Sequence, residues 1–598
     1  MKSEAWEVFQ DLIASFGMTT TVAFVRHRSA HAKTGNRILK NFPRLTLACL
    51  VTAACAASSV RTSIPGANGP RTRAERTGYK ETSHYDDVIA FLDSLHGRRE
   101  LAFGSIGKTT QGRDIPYVIA SRPRVSTPAE ARRSAKPIVY IQGNIHAGEV
   151  EGKEALLALL RDLTSSPAQN VLDAVVLIAV PIYNADGNEK FASQVVNRGS
   201  QNGPEIVGER ANGQGFDLNR DYIKAEAPET RASLAMFNAW DPDVFVDLHT
   251  TDGSYHGYAL TYAPPLNPAA PLGVFTREMI MPELRTRMQK RGFATFDYGD
   301  FISDDTLSKG WVTFDSRPRF GTNYYGLRGR IAILSEAYSH DPFEGRVAST
   351  YAFVQEILSV VAERAATIRK LTEDASAGRV AVVTQDCFSN GCTPAQIVIR
   401  PDGLISSIPI RSEMVAAPMP IDVVAEDLER TGDSTRTQPG VRTGFRRTGR
   451  FHAVKMPVFD RFNPTLFAPA PSAYAIAAAD TQTVRLLRLH GIVVDSLSGA
   501  ATAQASTFIV DSTIVSPRAF QGHHEARLVG RWMAEPRQLP AGTYIARTGQ
   551  ALGILLVYLL EPQSDDGLVT WNFFDGALLS GAAYPVLRLM NVPRPVSR

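Results

Sequence analysis

Two residues three apart, His146 and Glu149, stand in GNIHAGEVEGKEALLALL (143–160), where an apolar run gives way to an amphipathic one. An imidazole nitrogen and a carboxylate oxygen are both zinc donors, and an H-x-x-E pair lets one short turn offer both to a single ion. Alone the spacing is weak, because a glutamate is also favoured at a helix start by the helix dipole. A third donor is needed, and His249 closes the apolar run VFVDLH (244–249). His256, seven residues on, competes for that role but lies beyond a glycine-containing loop. Arg210, Asn219 and Arg220 fall in GERANGQGFDLNRDY (208–222). Two guanidiniums and an amide can clamp a carboxylate, because arginine meets it with parallel hydrogen bonds; a solvated basic loop is the plain alternative. Glu336 lies in the apolar run ILSEAY (333–338). A carboxylate there is costly unless it is paired or functional.

These residues need elements to carry them. Apolar runs bounded by turn residues predict strands within 136–146, 174–187, 243–253 and 329–341. Helical spacing predicts helices over 83–95, 149–163, 228–240, 276–292 and roughly 346–373. Strands alternating with helices imply an α/β fold, a sheet covered on both faces. The candidate residues then fall at the carboxyl ends of strands, where open α/β sheets place their sites.

Taken together the four segments resemble the zinc carboxypeptidase family of the carboxypeptidase A/B type. The match is H-x-x-E, then two arginines with nine residues between them, the second ending D-L-N-R, then a strand-end histidine, then a strand-borne glutamate. The D-L-N-R form is similar to the carboxypeptidase N/E-like branch. The resemblance covers roughly residues 80–345. It implies a three-layer α/β/α catalytic domain with a mixed central sheet, and one Zn2+ per chain held by His146, Glu149 and His249. It implies Glu336 as general base and acid, Arg210 as the cation that stabilises the oxyanion, and Asn219 and Arg220 as holders of the substrate's terminal carboxylate. The chemistry agrees: zinc brings the pKa of a water it holds towards about 7, a carboxylate can carry that water's proton to the leaving amine, and the developing oxyanion needs a preorganised cation. The partner is then a peptide or peptide-like substrate with a free carboxylate.

One position departs from the pattern. The family usually carries a substrate-capping tyrosine 22 residues before the catalytic glutamate, and here that residue is Phe314. Tyr324 and Tyr325, in GTNYYGL, are the candidates to replace it, with core packing as the alternative for each. Asp247, two residues before His249, is read as pointing to the opposite face and is given no role. Two rival functions share these motifs. One is a zinc amidohydrolase acting on cell-wall peptides or acylated amino acids. The other is a non-enzymatic relative, which predicts loss of a ligand or of the base; neither is lost here.

The rest of the chain sets the frame. At 598 residues it is too long for one ordinary core. With 44% hydrophobic and 21% charged residues it has the composition of a globular protein, and a net charge of +4 gives no case for nucleic acid. No run of 18 apolar residues predicts a spanning helix in the mature protein. Residues 1–60 read as a leader with a signal peptide: basic residues, an apolar run and Ala54-Cys55-Ala56 follow in order within RILKNFPRLTLACLVTAACAA (37–57). This predicts export to a periplasmic or extracellular space, with Cys55 a candidate lipid anchor. Residues 61–80 read as a linker and 81–376 as the catalytic domain. Residues 381–598 read as a smaller, mainly β C-terminal region, with strand-like runs at STFIVDSTIV, GTYIARTG, QIVIRPDG and GILLVYLLEP and loops over 412–450. Cys387 and Cys392 are spaced to close a small disulfide loop. Asp565, Asp566 and Trp571 mark a loop that reads as a turn between core strands, with carbohydrate or calcium binding as the alternative.

Overall fold

Eight strands form the central sheet: β1 (Leu101–Lys108), β2 (Asp114–Ala120), β3 (Ile138–Gly143), β4 (Val176–Val180), β5 (Val244–Thr250), β6 (Leu260–Ala263), β7 (Thr295–Asp297) and β8 (Ile331–Ala337). Their order is β1-β2-β4-β3-β5-β8-β6-β7. The central pairs β4/β3, β3/β5 and β5/β8 are parallel, whereas β1/β2, β2/β4 and β8/β6 are antiparallel. This is the mixed sheet the resemblance implies. The computed structural model describes residues 69–304, 306–378, 407–432 and 439–591. The leader, Cys55, Cys387, Cys392 and the run QIVIRPDG lie outside them.

Side chains alternate along each strand, so the central strands feed two cores. Val139 and Ile141 of β3 join one, with α1 (Tyr85–Asp93), α2 (Glu151–Leu163), α4 (Met281–Lys290) and α6 (Phe343–Glu363). Ile138 and Tyr140 join the other, with α3 (Pro228–Trp240) and α5 (Gly321–Leu327). Strands apolar on both faces are what a covered parallel sheet requires. Three layers result.

The second core does not stop at the catalytic region. Ile408, Tyr474, Phe508 and the run Ile554–Leu560 belong to the same buried cluster as Tyr140 and Phe245. The described residues are accordingly one compact unit. The C-terminal part is mainly β. It holds a six-stranded sheet built around the long hairpin Ala501–Val515/Ala526–Leu539, and the antiparallel pairs Ser407–Val415/Arg461–Pro469 and Ile421–Arg430/Phe445–Met456.

Four expectations are corrected. Most of 412–450 that is described is strand rather than loop. The side chains of Phe445–Met456 are almost all exposed or half-exposed, so no apolar alternation marks the strand. GILLVYLLEP contains a helix, Gly553–Leu560, buried at every residue; a wholly apolar run has no period from which to tell helix from strand. The helix read over 346–373 is two, Phe343–Glu363 and Ala365–Ser376, parted at Arg364. Within the linker stretch, residues 73–76 form a short helix with Thr72 and Glu75 as its capping box. The Glu75 carboxylate accepts from the buried Arg161 at 2.7 Å, which fastens this end of the chain to α2. No helix of the described residues is long and apolar enough to cross a membrane.

Candidate active site

Strand register brings the chemistry together. In the parallel pair β5/β8, His249 stands opposite Glu336, and in β3/β5 Gly143 stands opposite Leu248. His146 therefore emerges from the turn after β3 beside the end of β5. Glu149 folds back over that turn, its N–H donating to His146 O at 2.9 Å, just before α2 begins at Glu151.

The three side chains converge. Their donor atoms all lie within 4.8 Å of one another. One Glu149 oxygen is 3.0 Å from His146 Nδ1 and the other 2.9 Å from His249 Nδ1, while the two Nδ1 atoms are 3.2 Å apart. All three side chains are buried. Buried imidazoles and a carboxylate this close ask for a cation. Burial would lower the His249 imidazole, but Asp247 and Glu149 hold it well above its ordinary value. Burial would raise Glu149, and His146 and Arg198 outweigh it and hold it well below the carboxylate range. A His/Glu/His donor set is one that zinc accepts. His256 takes no part. It is buried against Tyr338, with ring centroids 4.2 Å apart, and burial lowers it to about 3.

A second tier holds these donors in place, and sequence reasoning missed most of it. Asp217 Oδ1 is 3.0 Å from His146 Nε2, and its other oxygen accepts from Arg210 Nε at 2.9 Å. Its own N–H donates to Gln521 Oε1 of the C-terminal region at 2.9 Å. Asp247 Oδ2 lies 3.0 Å from His249 Nε2, at an angle that makes no hydrogen bond. The opposite-face reading of Asp247 is thus corrected: residues two apart on a strand share a face. Arg198 donates to Glu149 at 3.1 Å and to the carbonyls of Thr250 and Thr251, tying the turn to the end of β5. Partners of this kind orient metal donors. The D-L-N-R motif carried the signal for Asp217; nothing marked Arg198.

A cavity of about 310 Å³ opens beside the donors. His146, Glu149, His249, Arg210, Asn219, Arg220 and Glu336 all line it. Burial, with Glu149 and Asp252 adding to it and His249 opposing, pushes the Glu336 carboxyl well above its usual range. The Arg220 guanidinium lies 4.0 Å over the Phe320 ring and donates to Asn219 O at 2.8 Å; Asn219 Oδ1 in turn accepts from Gly321 N at 2.8 Å. The loop 315–321 thereby fixes the two carboxylate-holding candidates.

Tyr324 and Tyr325 are not there. Both are fully buried in the sheet's second core. Tyr324 Oη is 2.7 Å from His490 Nδ1, and the Tyr325 ring lies 4.1 Å from those of Phe237 and Phe245. Their place is on α5, which turns them beneath the sheet rather than into the cavity. The substrate-binding role expected for them is withdrawn.

The Asp565/Asp566/Trp571 loop clamps the 315–321 loop from the far side. Asp566 accepts from Arg319 N at 2.7 Å, Arg319 Nη2 at 2.8 Å and Trp571 Nε1 at 3.0 Å, all buried. That is a structural tie, not a carbohydrate or calcium loop. Nearby, His523 Nε2 lies 3.0 Å from Glu226 Oε1. Burial and the neighbouring Asp566 push Asp565 up to about 7, against the Tyr558 hydroxyl and the Ser412 N–H that donate to it. In the unfolded chain this carboxyl ionises near pH 4, while the folded form keeps its proton to about pH 7. Its contribution to stability is complete below about pH 4 and is lost as pH rises to about 7, by up to about 4 kcal/mol. Denaturant melts across that range should show Asp565→Asn with a flatter stability profile than the wild type.

Residues 88–270 match the family model described as zinc carboxypeptidase. Over 502 residues, 81% of each chain, the sequence is 23% identical to "Carboxypeptidase 2" of Trichophyton equinum. Over 183 residues, 28% of this chain and 12% of the other, it is 31% identical to mouse carboxypeptidase D. Among solved structures, carboxypeptidase A from Helicoverpa armigera aligns with 48% of this chain and 75% of its own, at 16% identity and a TM-score of 0.37. The match to the zinc carboxypeptidase model spans the turn bearing His146 and Glu149, the D-L-N-R loop and His249, so it is over residues 88–270 that the chain is similar to that family of peptide hydrolases.

Proposed function

We propose that this protein is an exported exopeptidase that removes single residues from the carboxyl end of peptides. The observation that carries the reading is the shared cavity: the His146/Glu149/His249 cluster and Glu336 line it together with Asn219 and Arg220, which can hold a free carboxylate. A bound zinc supplies Lewis-acid polarisation of the scissile carbonyl and an acidified water. The protein's own residues supply the rest. Asn219 and Arg220 bind the terminal carboxylate, and Phe320 keeps the guanidinium oriented. Glu336 accepts a proton from the attacking water and returns it to the leaving nitrogen. Arg210, fixed by Asp217, faces the oxygen on which negative charge develops. The leader supports export, and the region 407–591 acts as a brace for the 315–321 loop.

The test is a peptide offered with a free and with an amidated carboxyl end, with and without a chelator, followed by mass spectrometry. Loss of one residue at a time from the free peptide alone, abolished by the chelator and by His249→Ala, is expected. The histidine variant should also bind less than one zinc per chain. Internal cuts, or equal cleavage of the amide, reject the exopeptidase reading. Activity confined to cell-wall peptides or acylated amino acids would make the protein an amidohydrolase instead.

A further inference from the structure

The family's phenol is missing from position 314, and neither Tyr324 nor Tyr325 reaches the cavity. A different tyrosine does. Tyr298 follows β7, its N–H donating to Tyr262 O at 2.8 Å, and its side chain lines the cavity with 9% exposure. Lining the cavity sets it apart from the buried phenols of Tyr324, bonded to His490, of Tyr222, bonded to Gln142, and of Tyr183 and Tyr325, which are buried without a hydrogen bond.

Its position is closely determined. The ring packs in a small cluster with Ala263 and Leu334, and Phe314 lies edge-on to it with centroids 5.9 Å apart. Leu334 and Glu336 are two apart on β8, so they share a face. Tyr298 therefore sits one pleat from Glu336, on the cavity side. The next residue, Gly299, has no room for a side chain, since a Cβ there would meet Trp311 Nε1 at 2.5 Å. Phe314, standing where a tyrosine is expected, serves as a wall for the phenol that comes from 298.

We propose that Tyr298 acts in catalysis, its hydroxyl donating a hydrogen bond to the nitrogen of the scissile amide as that nitrogen departs; this rests on the exopeptidase reading above. A planar amide nitrogen shares its lone pair with the carbonyl and is a poor acceptor. Once the carbon becomes tetrahedral the lone pair localises and accepts. The C–N bond breaks, the proton carried by Glu336 ends on the amine, and the phenol keeps its own proton throughout. The surroundings suit a donor that does not ionise: burial, then Glu336, Asp300 and Asp252, raise the phenol well above its ordinary value. An interaction made only as the bond breaks accelerates turnover without tightening substrate binding.

Tyr298→Phe is the test, measured beside Glu336→Gln on a peptide with a free carboxyl end. The expected result is a kcat lower by about tenfold, the scale of one lost hydrogen bond, with KM, zinc content and Tm unchanged. An unchanged kcat, a rise in KM alone, or a fall in zinc content or Tm that accompanies the loss would each overturn the role. The companion variant separates this from the parent reading. A fully active Tyr298→Phe enzyme beside an inactive Glu336→Gln enzyme overturns Tyr298 alone, whereas full activity in Glu336→Gln overturns both.

Discussion

Replacing Glu336 by Gln is expected to reduce kcat by about 10³-fold or more while one zinc per chain remains bound. The side chain is not one of the three converging donors, so the candidate metal-holding set His146/Glu149/His249 is left intact. What it loses is the only cavity-lining carboxylate on β8, held beside His249 by the strand register. The amide has the same shape, lines the same cavity and cannot accept a proton from water. General acid–base groups contribute on the order of 10²–10⁴ in rate, and in the proposed mechanism one residue does both transfers. Metal analysis and single-turnover kinetics on the purified variant check the two halves of the expectation. An enzyme that keeps its zinc and its rate would remove Glu336 from the mechanism.

The second large effect is expected far from the metal. Asp566→Ala should destabilise the protein by about 3–5 kcal/mol, the scale of breaking a buried ion pair by deleting one partner. The pair itself is not the source of that figure. Burial raises the Asp566 carboxyl even with Arg319 and Arg317 opposing it. The cost comes from Arg319, 2% exposed, left with a weaker set of partners in which Glu525 at 2.5 Å is the remaining carboxylate. Set against the 5–15 kcal/mol typical of a folded domain, that is a large share. The 315–321 loop should loosen with it, so KM for a peptide should rise, because Phe320 next to Arg319 carries the Arg220 guanidinium. Asp566→Asn, which keeps the acceptor oxygen, should lose less on both counts. Equilibrium unfolding and steady-state kinetics decide; a variant within 0.5 kcal/mol of wild type would refute the clamp.

Much of the catalytic half was legible because its signals are periodic or paired. The run 136–146 has no polar residue between Ile138 and Ile141, and a strand buried on both faces looks like that. His146, Glu149, His249 and Glu336 could be linked in sequence only as a combination, since each alone has an ordinary explanation. The residues that steady them were harder to see. Arg198 acts from a loop with no motif, and Asp247 was lost to a mistaken count of strand faces. Tyr298 was hidden for another reason. The expected tyrosine position lies at a fixed distance from Glu336 along the chain, whereas what places this phenol is the packing of Tyr298 against Ala263 and Leu334. In the C-terminal region the exposed strands near 445–456 carry no alternation, and the buried helix at 553–560 carries no polar face.

The common core under the sheet has a bearing on how this protein can be handled. Phe245 and Tyr325 of the catalytic half and Leu555, Tyr558 and Trp571 of the other are parts of one oily interior. A fragment trimmed near residue 376 would carry half of that interior as bare surface, ready to glue copies together. Grafting the hydrolase onto another scaffold therefore means moving both halves, or recolouring the abandoned wall with polar side chains first.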